Sequence, residues 1–129
     1  MKFIIGGACQ GKREYVSSHY GISHAEMTDG AALSPDLFSH QTCVYHYHLF
    51  IKEQLRRGQN LDGILQMTEE LLRQNPDIIL LMDEVGSGII PIEKSEREWR
   101  ETVGRVGCWL AEHAESVERI VCGYGVRIK

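Results

Sequence analysis

Apolar positions along the chain fall into two periods. The short run Met1–Ile5 leads into Gly6-Gly7 and reads as a buried strand. Gly11–Tyr20 reads as a helix, closed by Gly21. Residues 22–40 mix Ser, Thr, Asp, Gly and Pro, and predict a short strand, a turn and one helical turn. Thr42–Tyr47 is β-branched and aromatic, the composition of a strand, running into a helix over His48–Arg57. Leu61, Ile64, Leu65, Thr68, Leu71 and Leu72 recur at helical spacing, with Asn60 as N-cap and Pro76 as stop. Ile78–Met82 is continuously apolar, as in a central parallel strand covered on both faces. A long helix is expected over Glu96–Glu115, with Trp99, Val103, Val106, Leu110 and Ala114 on one core-facing stripe and Trp109 also in the core. Glu118–Cys122 reads as the last strand.

This alternation predicts an α/β fold, a mostly parallel sheet flanked by helices. In such sheets ligands bind beyond the carboxyl ends of the strands. The loops at Gly6–Lys12 and Asp83–Gly88 both leave strands at that end and are expected to be neighbours. A length of 129 residues suits one domain over 1–129.

Composition narrows the partners. The net charge is -4 and the basic residues form no stripe, which argues against nucleic acid. No apolar run approaches the ~20 residues of a membrane span, and the N-terminus lacks the pattern of a signal peptide. Cys9, Cys43, Cys108 and Cys122 form no CxxC pair, so neither a zinc knuckle nor a thioredoxin motif is suggested. Free thiols in a reducing cytoplasm are expected, each packing as a small buried hydrophobe.

The chemistry concentrates at Gly6-Gly7-Ala8-Cys9-Gln10-Gly11-Lys12, which fits GxxxxGK directly after a strand and before a helix. Glycines let the backbone N–H groups wrap phosphates, and the helix N-terminus adds partial positive charge. Lys12 would reach the β- and γ-phosphates of a bound nucleotide as a point charge. The alternative is a glycine-rich turn that only starts a helix. The motif ordinarily continues with Ser or Thr, whose hydroxyl holds Mg²⁺; here the residue is Arg13, which cannot ligate a cation. Phosphate binding without efficient metal-assisted transfer is one consequence, and Arg13 is open to two readings, a phosphate contact or a solvent-facing side chain. Asp83 and Glu84 end an apolar strand, where P-loop proteins present a carboxylate to Mg²⁺ or to the attacking group; a turn cap and a solvated loop charge are the alternatives. His40, His46 and His48 lack further ligands at a fixed offset, so cleft or surface histidines are favoured over a metal site.

Three stretches resemble the adenosylcobinamide kinase/adenosylcobinamide-phosphate guanylyltransferase family. They are Gly6–Arg13 (a GGA-x-x-GKS loop in the family), Glu84–Pro91 (its NEVG-x-GI-x-P) with Arg100, Gly104, Arg105 and Val106, and the ending Gly123–Lys129. The resemblance implies a P-loop fold, a homotrimer, ATP or GTP at Gly6–Lys12 with Arg13 flanking it, and Glu84 near the phosphates or the corrinoid substrate. The family phosphorylates adenosylcobinamide and then transfers GMP through a histidine intermediate. This chain departs from it at Arg13, at Asp83 where the family has Asn, and between Ile22 and Gln41, where the segment carrying the guanylylated histidine is much reduced. A kinase lacking the guanylyltransferase half is one expectation. A non-catalytic relative binding a nucleotide or a corrinoid is the other.

Overall fold

In the computed structural model, which describes residues 1–129 apart from Ser87 and Ile89, six strands form one sheet in the order β2-β3-β4-β1-β5-β6. The strands are β1 (Lys2–Gly6), β2 (Met27–Asp29), β3 (Cys43–Tyr45), β4 (Ile79–Asp83), β5 (Ser116–Val121) and β6 (Tyr124–Arg127). The helices are α1 (Lys12–Tyr20), α2 (Tyr47–Arg56), α3 (Leu61–Gln74) and α4 (Lys94–His113), and two short 3-10 turns (Gly30–Ala32 and Pro35–Leu37) lie between β2 and β3. All neighbouring strands pair in parallel except β5 and β6. This is the P-loop NTPase-like α/β fold that the strand–helix alternation predicts.

Strand pleating explains why the central strands are apolar throughout. Successive side chains alternate between faces. Phe3, Val44, Leu80 and Met82 join Tyr47, Phe50, Ile64, Leu71, Val106 and Leu110 from α2, α3 and α4. Ile4, Cys43, Ile79 and Leu81 join Val16 of α1 and Ile120 on the opposite face. Asn60 caps α3 by accepting from the Gly63 N–H at 2.9 Å, and Gly21 ends α1 at φ 69. Trp99 and Trp109 are half-buried at the edge of the core rather than inside it, because each ring uses a polar neighbour. The Trp99 Nε1–H donates to the His48 carbonyl at 2.8 Å, and Trp109 stacks on His113. The helix expected over Glu96–Glu115 starts and stops two residues earlier.

The final strand is a hairpin. Val121 pairs with Tyr124 across Cys122-Gly123, both at positive φ (49 and 81), the geometry of a two-residue type I′ turn. Cys122 occupies the position where Asn or Asp usually advertises such a turn. Of the four cysteines only Cys43 is buried; Cys9, Cys108 and Cys122 are exposed, since two of them sit in turns and the third on the outer face of α4. Burial pushes the Cys43 thiol up to about 12, against the opposing charge of Arg13.

One buried carboxylate ties α1 to the sheet. Glu118 of β5 accepts hydrogen bonds from the hydroxyls of Tyr15 and Tyr20. That contact, with burial, raises the Tyr15 hydroxyl to about 12 and moves Tyr20 further the same way, chiefly through burial. The Tyr15 ring also lies where any side chain at Gly125 would stand. Among the described residues no helix is long and apolar enough to cross a membrane.

Two outcomes follow. Tyr20→Phe should lower unfolding stability by about 1 kcal/mol in urea titration, the usual worth of one half-buried hydrogen bond. Alkylation of the native protein at neutral pH should modify Cys9, Cys108 and Cys122 and spare Cys43 until the chain is denatured, as read by intact mass.

Candidate functional site

Strand register brings the two sequence-predicted loops together. Gly6 of β1 is paired with Asp83 of β4, and the Glu84 N–H donates to the Gly6 carbonyl at 2.9 Å. Gly6 has no room for a side chain, since a Cβ there would stand 2.5 Å from the Ile120 carbonyl oxygen of β5. The loop from Gly7 to Gly11 turns through Cys9 at φ 58 and Gly11 at φ 86, and Gly11 is the residue that opens α1. The β5–β6 turn braces it from one side: Gln10 accepts from the Cys122 N–H through its side chain at 2.7 Å and from the Gly123 N–H through its carbonyl at 2.8 Å.

Lys12 lies in the centre of this arrangement. Its ammonium donates to the carbonyls of Gly7 at 2.7 Å and Gly6 at 3.2 Å, and pairs with Asp83 Oδ1 at 2.7 Å. Only 9% of the side chain is exposed, against 17% for Asp83. A buried ammonium must spend its protons on acceptors, and these oxygens supply them.

The other carboxylate oxygen of Asp83 faces His48. The Asp83 N–H donates to His48 Nδ1 at 3.2 Å, which leaves Nε2 to carry the proton of the neutral ring, 3.5 Å from Asp83 Oδ2. Burial lowers the pKa of His48 below its usual 6.5, with the positive charges nearby adding to the effect and Asp83 opposing it. The imidazole is therefore neutral at physiological pH.

Residues at the cleft rim complete the site. Ala8, Cys9, Gln10, Gly11, Lys12, Arg13, Tyr45, His46 and Asp83 line a cleft of about 340 Å³, with Glu14 and Leu81. The Arg13 guanidinium lies 4.1 Å over the Tyr45 ring, a cation–π contact. Arg13 Nε is buried without a hydrogen-bond partner. His46 adopts φ 56 ahead of α2, and its Nδ1 lies 3.2 Å from Asp29 Oδ1. Gly30 is required beneath it, because a side chain there would strike the His46 carbonyl.

Of the sequence-predicted residues, the structure gathers Ala8–Arg13 and Asp83 at one cleft, with the Gly6 and Gly7 carbonyls on the Lys12 ammonium. Glu84 adjoins them through its backbone, while its carboxylate makes a two-pronged pair with Arg119 of β5 (2.7 and 3.0 Å) and borders an apolar groove beside α4. His46 and His48 part company, one toward Asp29 and the other behind Asp83, and His40 is exposed elsewhere. Among the described residues no three His, Cys, Asp or Glu side chains converge as a metal site. Sequence reasoning missed the Arg13–Tyr45 stack and the His48–Asp83 contact, because both join residues more than thirty positions apart. The His-x-His step at the end of a strand was the available signal. In the motif Glu84–Pro91, Ser87 and Ile89 lie outside the described residues.

A family model described as cobinamide kinase / cobinamide phosphate guanyltransferase matches residues 37–128. The chain belongs to this family. Two relatives are the bifunctional adenosylcobalamin biosynthesis proteins of Salmonella typhimurium and Escherichia coli, each 42% identical over 52 residues, which is 40% of this chain. The match spans 29% of the length of either relative. The family match begins beyond Gly6–Lys12, so the geometry of that loop is an observation independent of it.

The neutral His48 gives a pH prediction. Its depressed native pKa means the unfolded chain binds the extra proton more readily, so its contribution to stability is present above about pH 6.5 and fades as pH falls. Thermal unfolding between about pH 7.5 and 5.5 should show a falling midpoint in the wild type and a shallower fall in His48→Gln.

Proposed function

We propose that the chain binds ATP or GTP with the triphosphate in the Gly6–Arg13 loop and acts in cobalamin biosynthesis, transferring the terminal phosphoryl group to the hydroxyl of a corrinoid such as adenosylcobinamide. The observation that carries this reading is the loop itself: a glycine-opened helix N-terminus with a buried, cleft-lining lysine, in a chain of this family. The loop N–H groups and the α1 N-terminus receive the phosphates. Lys12 exchanges the Gly7 carbonyl for a bridging position on the β- and γ-phosphates. The corrinoid hydroxyl oxygen bonds to the γ-phosphorus as the bond to the β-phosphate oxygen breaks, releasing the nucleoside diphosphate and the hydroxyl proton to solvent. Asp83, which lines the cleft, orients the acceptor hydroxyl, and Glu84 on Arg119 fixes the strand end beside it. The guanylyltransferase half is absent from this reading, because the segment that carries the guanylylated histidine in the family is much reduced here between Ile22 and Gln41.

The residues present fit a P-loop Mg²⁺ poorly. Position 13 offers donors in place of a hydroxyl, and the Asp83 carboxylate is already neutralised by Lys12. That observation favours a second reading, a non-catalytic relative that binds the nucleotide, in the cytoplasm and as a homo-oligomer, without turning it over.

One experiment separates the two. The purified chain is incubated with γ-labelled ATP or GTP and adenosylcobinamide, and alkylation of Cys9 is followed in parallel. Label in the corrinoid, lost in Lys12→Ala, supports the kinase. Protection of Cys9 without transfer supports the binding relative. Neither label nor protection at millimolar nucleotide leaves Gly6–Lys12 as a turn that only starts a helix.

A further inference from the structure

We propose that this cleft recognises a polyphosphate free of metal, with the Arg13 guanidinium supplying the positive charge that a P-loop ordinarily recruits as a hydroxyl-bound cation. The inference rests on the nucleotide reading above and specifies the chemical form of the ligand.

Four observations converge. First, the residue after the loop lysine carries five N–H donors and no lone pair, so it attracts phosphate oxygens directly and repels a divalent ion. Second, the guanidinium is held rather than free. It stands over the Tyr45 ring, 4.1 Å from the ring centre, at the wall of the cleft that Lys12 and Asp83 share. Third, its Nε is buried with no partner, a donor left with unused capacity. Fourth, the carboxylate that could share a metal is committed elsewhere. Asp83 Oδ1 is 2.7 Å from the Lys12 ammonium, and Oδ2 faces the Nε2 side of His48 at 3.5 Å.

Charges on every side of the cleft agree with this assignment. Lys12 and Arg13 are its cations, Asp83 is offset by Lys12, and the His46 ring is beside Asp29. Glu14 also lines the cleft but is exposed to solvent. A metal-free triphosphate brings more negative charge than its Mg²⁺ complex, and the Arg13 guanidinium next to a helix N-terminus favours the more charged form. Guanidinium forks match phosphate geometry in two parallel hydrogen bonds, so Arg13 selects a phosphoryl group and not a carboxylate-free diol or a neutral base.

The test is a calorimetric titration of the full chain with ATP, GTP and inorganic pyrophosphate, each in EDTA and again in excess Mg²⁺. Binding in EDTA should equal or exceed binding in Mg²⁺. In Arg13→Ser, binding in EDTA should weaken by about tenfold or more, with Mg²⁺ now strengthening it. Arg13→Lys, which keeps the charge and loses the planar fork, should fall between the two, and circular dichroism establishes that both variants fold. Wild-type binding that appears only with Mg²⁺ overturns the inference and leaves the nucleotide reading intact. Undiminished binding of Arg13→Ser in EDTA also overturns it. Failure of all three ligands to bind under either condition overturns the nucleotide reading itself.

Discussion

A lysine ammonium buried among three oxygens is the constraint on which the carboxyl end of this sheet depends. Water reaches little of the Lys12 ammonium at 9% exposure, so the Gly6 and Gly7 carbonyls and the Asp83 carboxylate must stand where its N–H groups can reach them. That requirement joins β1 to β4 at their carboxyl ends, beyond the backbone ladder that already pairs Gly6 with Asp83. It also shapes the loop. Gly7 keeps its carbonyl turned inward, and the chain then needs left-handed residues at Cys9 and Gly11 to enter α1.

Support for this centre comes from distant parts of the chain. The β5–β6 turn holds Gln10, so the far end of the sequence helps fix the loop at its beginning. Glu118, clasped by Tyr15 and Tyr20, anchors the body of α1 behind it. On the other side, Trp99 of α4 holds the His48 carbonyl while the His48 ring steadies Asp83. The family match covers β3 through β6, while the Gly6–Lys12 loop and α1 lie ahead of it. The two lines of evidence therefore meet at Asp83.

Much of the fold was legible because its signals are local. Continuous apolar runs marked β1 and β4, helical spacing marked α3 and α4, and Asn60 and Gly21 marked helix ends where the structure has them. The β5–β6 turn was not legible, since Cys122-Gly123 lacks the usual turn residue and β6 is exposed along its length. The region between β2 and β3 yielded only its general character, because 3-10 turns leave no lasting periodicity. Cysteine exposure was misjudged on average behaviour: position in a turn or on an outer helix face decided it for Cys9, Cys108 and Cys122. At the site, motif spacing placed the loop and Asp83, but the direction of each side chain depended on partners far away in sequence. Arg13 needed Tyr45, Asp83 needed His48, and Glu84 turned to Arg119.

The most direct measurement is a crystal structure of the full chain with a non-hydrolysable GTP or ATP analogue. Lys12 should be found on the β- and γ-phosphate oxygens, withdrawn from the Gly7 carbonyl, with the loop N–H groups around the triphosphate and the Arg13 guanidinium against it. A triphosphate bound elsewhere, with Lys12 still on Gly7 and Asp83, would contradict the assignment of this cleft as the phosphate site.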